Sequence, residues 1–396
     1  MKERNIFFVN TFILLCFCYA FSRWLPYYSF NFSEGIYIPS TGRYGFTTVL
    51  SNDVGFTVKI KEEHNSFFYY RLNYEGPGFK RQEGEKFEQR TIGHILVLQH
   101  NYQYKNFLFK TKFNYLYDFW RTGTNEAWGF GLYDNEVIGI SEELEFKVNN
   151  ELNIKTKFGY NFVKFPNYTS IIEEYLFGSE ETAAGKQDNN MFIINLNCKY
   201  KLHNFTLNTI IQNYIEQKVL TQSGVFSNEK QKDTTLEFSY YPDKIKISNF
   251  IFFSPDLTIK HKDSNQSFLY IKSYDVFVST PEVVENYFDY VKFSFSLPFD
   301  FRIKKTKTLS FVPEFELTSY LSRSPRDENN NFISNKKQQN QKVIASLVYN
   351  SYSQNERSVF SIFYSYFYQT SNMKFEKYYP YNYSGHYFGI KVSYTY

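Results

Sequence analysis

From Phe107 the chain changes character at every residue. Phe107, Phe109, Thr111, Phe113, Tyr115, Tyr117 and Phe119 alternate with Leu108, Lys110, Lys112, Asn114, Leu116 and Asp118. A period of two marks an extended strand whose side chains point to opposite faces in turn. The alternation returns at Ile154 to Phe162, Phe192 to Tyr200, Val291 to Leu297 and Phe360 to Tyr368. Such runs exceed the five or six residues of about the average globular strand and match the roughly nine to eleven that a tilted strand needs to cross a bilayer.

The connections alternate as well. Short polar turns at Tyr104-Lys105-Asn106, Asn149-Asn150-Glu151, Leu202-His203-Asn204 and Pro242-Asp243-Lys244 interleave with long polar stretches at 77 to 89, 121 to 135, 165 to 189, 218 to 231, 323 to 340 and 371 to 383. This is a hairpin meander with short turns at one end and long loops at the other. About sixteen strands are expected, within a range of fourteen to eighteen. They begin at 53 to 61 and 66 to 76, pass through 232 to 241, 244 to 255, 266 to 278 and 286 to 298, and end at 357 to 370 and 384 to 396. Two places resist this reading. Residues 37 to 52 have room for another strand, and the loop lengths flanking 256 to 285 imply opposite directions.

After the N-terminal twenty residues no apolar run approaches the length of a spanning helix. In lipid, where every backbone donor and acceptor must be paired internally, strands are viable only in a closed barrel. The predicted class is therefore all-β, a transmembrane antiparallel up-and-down β-barrel with apolar residues facing lipid and polar residues facing a lumen.

Composition supports this. Phe and Tyr supply 45 and 37 residues against 3 Met and 18 Gly, whereas soluble cores are led by aliphatic residues. Aromatic rings with polar tips suit membrane interfaces. The net charge of +4 is small and dispersed, which argues against a nucleic-acid partner. Lys2 and Arg4 precede an apolar run from Ile6 to Ala20, with small residues at Cys18 and Ala20, the pattern of a signal peptide cleaved after Ala20. The expected division is residues 1–20 as signal peptide, 21–52 as an N-terminal segment or first strand, and 53–396 as the barrel. Processing would leave Cys198 alone, so no disulfide framework can form.

The chain lacks the signatures of a nucleophile elbow, a dinucleotide loop or a zinc site. His94 and His100 share a strand face, but neither has a recognisable nucleophile beside it in sequence. No catalytic, cofactor-binding or metal residue is nominated, and an enzyme is a distant reading. Charges on the lipid face would cost about 2–4 kcal/mol at the midplane and are expected inside. The candidate pore lining is Lys110, Lys112, Asp118, Glu143, Glu145, Lys147, Lys155, Lys157, Lys199 and Lys292. Their Lys excess predicts a slight anion preference, unless the charges merely pair across neighbouring strands. The stretch 165 to 189, third among the long loops, carries Glu173, Glu174, Glu180 and Glu181 beside apolar residues and is a candidate constriction.

The terminus Phe388-x-Ile390-x-Val392-x-Tyr394-x-Tyr396 resembles the last strand of bacterial outer-membrane proteins, and Phe293 to Tyr320 resembles a strand-turn-strand unit of bacterial porins. The departure is Lys391, where that terminal pattern often has Gly. The resemblance implies a Gram-negative outer-membrane barrel, insertion by the barrel-assembly machinery through the strand ending in Tyr396, and contact with outer-membrane lipid. It also admits a homotrimer, common among porins of this size. A polar interior in a barrel of about sixteen strands is wide enough for water, and predicts passive passage of small hydrophilic solutes. The alternatives are an adhesin or structural barrel with a closed lumen, and a hydrophobic-solute transporter plugged by its N-terminal segment.

Overall fold

The structure is a computed structural model that describes residues 23–40, 44–77, 90–121, 127–169, 187–270, 282–375 and 381–396. Strands follow one another as a meander: β1 Arg23–Pro39, β2 Gly45–Lys59, β3 His64–Pro77, β4 Arg90–Tyr104, β5 Phe107–Arg121, β6 Asn135–Lys147, β7 Leu152–Lys164, β8 Asn189–Tyr200, β9 His203–Leu220 and β10 Phe226–Pro242. They continue as β11 Ile245–Lys246, β12 Ile251–Phe253, β13 Asp256–Ser264, β14 Phe268–Tyr270, β15 Glu282–Val284, β16 Tyr290–Ser296, β17 Phe299–Lys304, β18 Lys307–Tyr320, β19 Gln339–Tyr352, β20 Ser358–Ser371 and β21 Tyr383–Thr395. All but β14 and β15, a small hairpin of their own, belong to one sheet of nineteen segments. In three cases two segments form one stave across a short break, β10 with β11, β12 with β13, and β16 with β17, so the wall has sixteen staves.

The wall closes where β1 pairs antiparallel with β21, from Ser29 opposite Thr395 to Pro39 opposite Gly385. Tyr28 and Tyr396 exchange backbone hydrogen bonds of 3.3 and 2.8 Å at the seam. Closure leaves no free strand edge, which lipid would not tolerate. The C-terminal strand therefore ends as the partner of the first.

The breaks have a cause in sequence. Proline cannot donate to the ladder, and Pro242, Pro255, Pro298 and Pro313 fall at one level of four neighbouring staves. Leu297 N–H donates to Pro313 O at 2.9 Å and Ser254 N–H to Pro298 O at 3.1 Å, bridging the interruption. The short turns lie at one end, at 60 to 63, 105 to 106, 148 to 151, 201 to 202, 247 to 250, 305 to 306 and 353 to 357, and the long connections at the other.

The count of sixteen is the expected one, but two of the expected strands are corrected. The barrel begins at β1, outside the sixteen expected spans but within the stretch 21–52 read as an N-terminal segment or first strand, and that stretch contributes β1 and half of β2. The segments expected at 244 to 255 and 266 to 278 are instead one stave, β12 and β13, with the turn at 247 to 250 and a loop hairpin beyond. The two errors cancel in the count, and together they remove the conflict of direction at 256 to 285. Residues 218 to 231, expected as a long loop, are mostly strand, with β9 and β10 joined over Leu220 to Phe226 through an irregular register. Because β1 adds a first connection, the stretch after β7 is the fourth on the long-loop side. Residues 1–20 lie outside the described residues, as do Glu173, Glu174, Glu180 and Glu181.

Candidate functional site: the barrel lumen

The outer face is fixed by its exposed apolar side chains. Phe109, Phe113, Ile138, Ile140, Phe158, Phe192, Ile194, Leu207, Phe238 and Ile259 all stand exposed, as do Ile362, Phe388 and Ile390. Directly paired residues share a face, so the pairing carries this assignment around the wall and puts the intervening positions in the lumen. Carboxylates occur on this face as well: Glu34 accepts from the Thr48 hydroxyl and Glu142 from Thr111 Oγ1 at 2.6 Å.

The lumen side of β5 to β18 is charged. Lys110 Nζ lies 2.6 Å from Glu143 and 3.8 Å from Glu145, and Lys155 reaches Glu145 at 3.3 Å. Lys199 pairs with Asp243 at 2.6 Å beyond the β10 break, and Lys292 with Glu316 at 2.9 Å. Sequence reading had not singled out Lys260 with Glu237 at 3.6 Å or Lys262 with Asp233 at 2.8 Å. Among the ten residues nominated from sequence, six thus sit in ion pairs, whereas Lys112, Asp118, Lys147 and Lys157 form none among the described residues. Lys112 lies opposite Ser141, and Lys157 opposite Glu143, whose carboxylate is held by Lys110. In the break between β10 and β11, Asp243 also accepts from Asn204 at 2.9 Å.

The other side of the lumen, from β20 through β21 and β1 to β3, is lined by rings, which sequence reading missed. Tyr37 of β1 stacks on Phe367 of β20 with centroids 5.2 Å apart and planes at 11°. Phe363 meets Tyr387 at 5.2 Å, and Phe367 meets Tyr383 edge-on at 5.8 Å. Lower down, Tyr27, Phe67 and Tyr69 form a chain of contacts at 5.3 Å, with the Arg71 guanidinium 5.5 Å over Tyr69. Arg71 itself bonds Asp53 through two nitrogens at 2.6 and 2.7 Å. Glycines make room for the upper rings. A Cβ on Gly35 would lie 2.5–2.6 Å from three atoms of the Tyr387 ring, and one on Gly389 would lie 2.7 Å from Phe363 Cζ. The detectable signal was Gly35, Gly385 and Gly389 at lumen positions facing aromatic residues one strand away.

The histidines sit on the outer face. His94 Nδ1 is 2.6 Å from the Tyr70 hydroxyl. His100 Nδ1 is 3.0 Å from Ser66 Oγ and its Nε2 is 3.3 Å from His64 Nδ1. A hydroxyl therefore does adjoin His100, contrary to the sequence reading; the pair joins β3 to β4 at directly opposed positions, and behind the ring stands His64 where a carboxylate would be needed to orient a base.

At the long-loop end a small core forms outside the wall. Arg323 lies 4.2 Å over Tyr287, 4.8 Å over Tyr320 and 5.4 Å over Tyr381, and it donates to the Tyr381 hydroxyl. Arg326 lies 4.6 Å over Tyr270, and Met373 and Gln338 are fully buried beside these residues' loops. Asp289 accepts from Ser264 N–H at 2.6 Å, yet burial keeps its carboxyl above the usual range.

No family model and no curated protein matches the chain. Among solved structures, OccAB1 of Acinetobacter baumannii matches 93% of this chain and 96% of its own at 9% identity, with a TM-score of 0.51. OmpT, described as an outer membrane protein of Vibrio cholerae in trimer form, covers 95% and 99% at 9% identity and 0.48, and OccK8 (OprE) of Pseudomonas aeruginosa covers 94% and 98% at 8% and 0.45. The fold is that of a porin-like outer-membrane β-barrel.

Proposed function

We propose that this chain is a porin-like channel of the bacterial outer membrane that passes small hydrophilic solutes by diffusion. The observation that carries the reading is the division of one closed sheet into an apolar outer face and a lumen face of Lys, Glu, Asp, Asn and Ser across sixteen staves. A barrel of about this strand number encloses enough space for water, whereas eight strands fill their own interior. Selectivity would rest on the lumen charges that remain unpaired. Export on a leader removed after Ala20, insertion by the assembly machinery through the strand ending at Tyr396, and a homotrimeric state belong to the same reading, as does a constriction by the loop carrying Glu173, Glu174, Glu180 and Glu181.

Reconstitution in planar bilayers tests it. Discrete steps of conductance are expected, and liposomes should admit small sugars and amino acids but exclude large polymers. The loop core around Arg323 supports a second reading, a surface barrel closed at its outer end; a tight bilayer with the folded protein inserted would select it and reject the channel.

A further inference from the structure

We infer that the ring wall near the long-loop end of the lumen is a binding site for neutral, polyhydroxylated solutes of the saccharide class. The inference rests on the channel reading and adds the substrate class.

Three observations point to it. The rings are held flat. Tyr387 lies across Gly35, and Phe363 extends over Gly389, so both are laid along the wall of the neighbouring strand. Tyr37 is stacked nearly parallel on Phe367 and forms the outermost layer of this pad. A flat ring face with its negative quadrupole suits the C–H face of a sugar ring, and it is poorly matched to a freely hydrated ion.

Hydroxyls and amides border the pad on the same lumen side. Ser346 and Ser365 share a hydrogen bond of 2.7 Å, Ser361 donates to Asn350 at 2.7 Å, and the Tyr383 hydroxyl donates to Gln369 at 3.3 Å. An apolar surface with a few convergent polar groups is the usual make-up of a small-molecule site, and alternating ring faces with hydroxyl and amide groups matches a solute that presents C–H and O–H surfaces in turn.

Charge decides among the solutes that bind aromatic faces. A cation would also be drawn to such rings. The register row just below the pad runs Lys391, Ser33, Val49, Glu75 across four strands, one cation and one anion. The row through Tyr383, made up of Glu316, Lys342 and Gln369, likewise holds one anion and one cation. The two rows together leave the pad no net charge to recruit a cation, and Lys391 is the member closest in sequence to Gly389 and Tyr387.

The experiment is titration calorimetry of the full refolded chain in detergent with maltohexaose, with polyethylene glycol of similar size and spermidine as the other two probes, alongside bilayer conductance without any of them. The saccharide should bind, polyethylene glycol and spermidine should not, and Tyr37→Ala should weaken binding at least tenfold while Tyr37→Phe retains it. Tyr37 is the outer layer and no glycine depends on it, so its variant should still show the heat-dependent gel shift of a folded barrel even where Tyr387→Ala does not. An outer-face variant, Tyr364→Ala, should bind like the parent. Binding of spermidine in place of saccharide, no saccharide heat at all, or equal affinity in the parent and Tyr37→Ala would each overturn the inference. Conductance separates the two levels: current with no saccharide binding removes this site and leaves the channel, whereas no current removes the channel.

Discussion

Gly35 shows how closely the lumen wall is fitted. It pairs with Gly389 on the neighbouring strand, two residues from Tyr387, and the Tyr387 ring occupies the space where any side chain would begin. In Gly35→Ala the new methyl must push the ring off the wall, an overpacking cost of about 1–3 kcal/mol. The expected outcome is a lower denaturant midpoint for the folded barrel, and a repeat in the Tyr387→Ala background should recover most of the loss, because the obstructing ring is gone. A full loss in both backgrounds would show that the backbone at Gly35, and not the ring, sets the requirement. Gly45, with open space around its Cβ position, is the matched control.

The elements divide into those the sequence announces and those it hides. Strands β5 to β8 are legible because lipid enforces contrast: most outer positions are apolar and nearly every inner one is polar. β1 lacks that contrast. Its lumen positions begin with Leu25 and Tyr27, and its outer positions include Pro26 and Glu34, so both faces read alike. β3 fails in the same way at Phe67, Phe68, Tyr69 and Tyr70, and this is where the lumen rings escaped notice. The proline level hid the stave made of β12 and β13 by cutting it at Ser254 and Pro255. Charged lumen residues were legible one by one, but their partners were not, since pairing depends on register and not on order along the chain. The loop core is likewise invisible from sequence, because it joins residues from three separate connections. Its behaviour can be forecast from the structure. Arg323→Ala removes a guanidinium shared by three rings, a contribution of about 2 kcal/mol when desolvated. Proteolysis should then cut within 321 to 338 many times faster, while the heat-dependent gel shift of the barrel stays unchanged. The same core should respond to pH. Burial raises the Asp289 carboxyl above its unfolded value, so its stabilising contribution is full below the unfolded value and is lost as pH rises through the folded one. Protease resistance of these loops should therefore increase as pH falls through the range just above the ordinary carboxylate value, and Asp289→Asn should flatten that dependence. A resistance that falls on acidification, or a slope that survives the substitution, would contradict the assignment.

At the scale of the molecule, the lumen is two-sided: rings from β20 through β21 and β1 to β3, charges from β5 to β18. The charges do not act as a simple sum. Lys110, Lys155, Lys199 and Lys292 each have a carboxylate within 3.3 Å, so the field they send into the lumen is largely spent on their partners. Lys112 and Lys157 have no such partner among the described residues; they project from β5 and β7 on either side of β6, where Ser141 lies opposite Lys112 and Glu143, held by Lys110, lies opposite Lys157. Two cations side by side in a hydrated lumen set a local positive potential that salt screens over a Debye length of about 10 Å at 0.1 M. A modest anion preference follows, stronger in dilute salt. Under a potassium chloride gradient the reversal potential of the parent should have the anion-selective sign. In Lys112→Glu/Lys157→Glu it should change sign, with the largest difference at low ionic strength. Lys155→Glu or Lys292→Glu should move it less per charge altered, but each leaves two carboxylates together and should lower the denaturant midpoint, which the unpaired pair should not. Equal selectivity shifts from paired and unpaired lysines would mean that net lumen charge governs permeation. Unequal shifts would place the filter at Lys112 and Lys157, with Lys112 two strands from Phe67 of the ring wall on one register row.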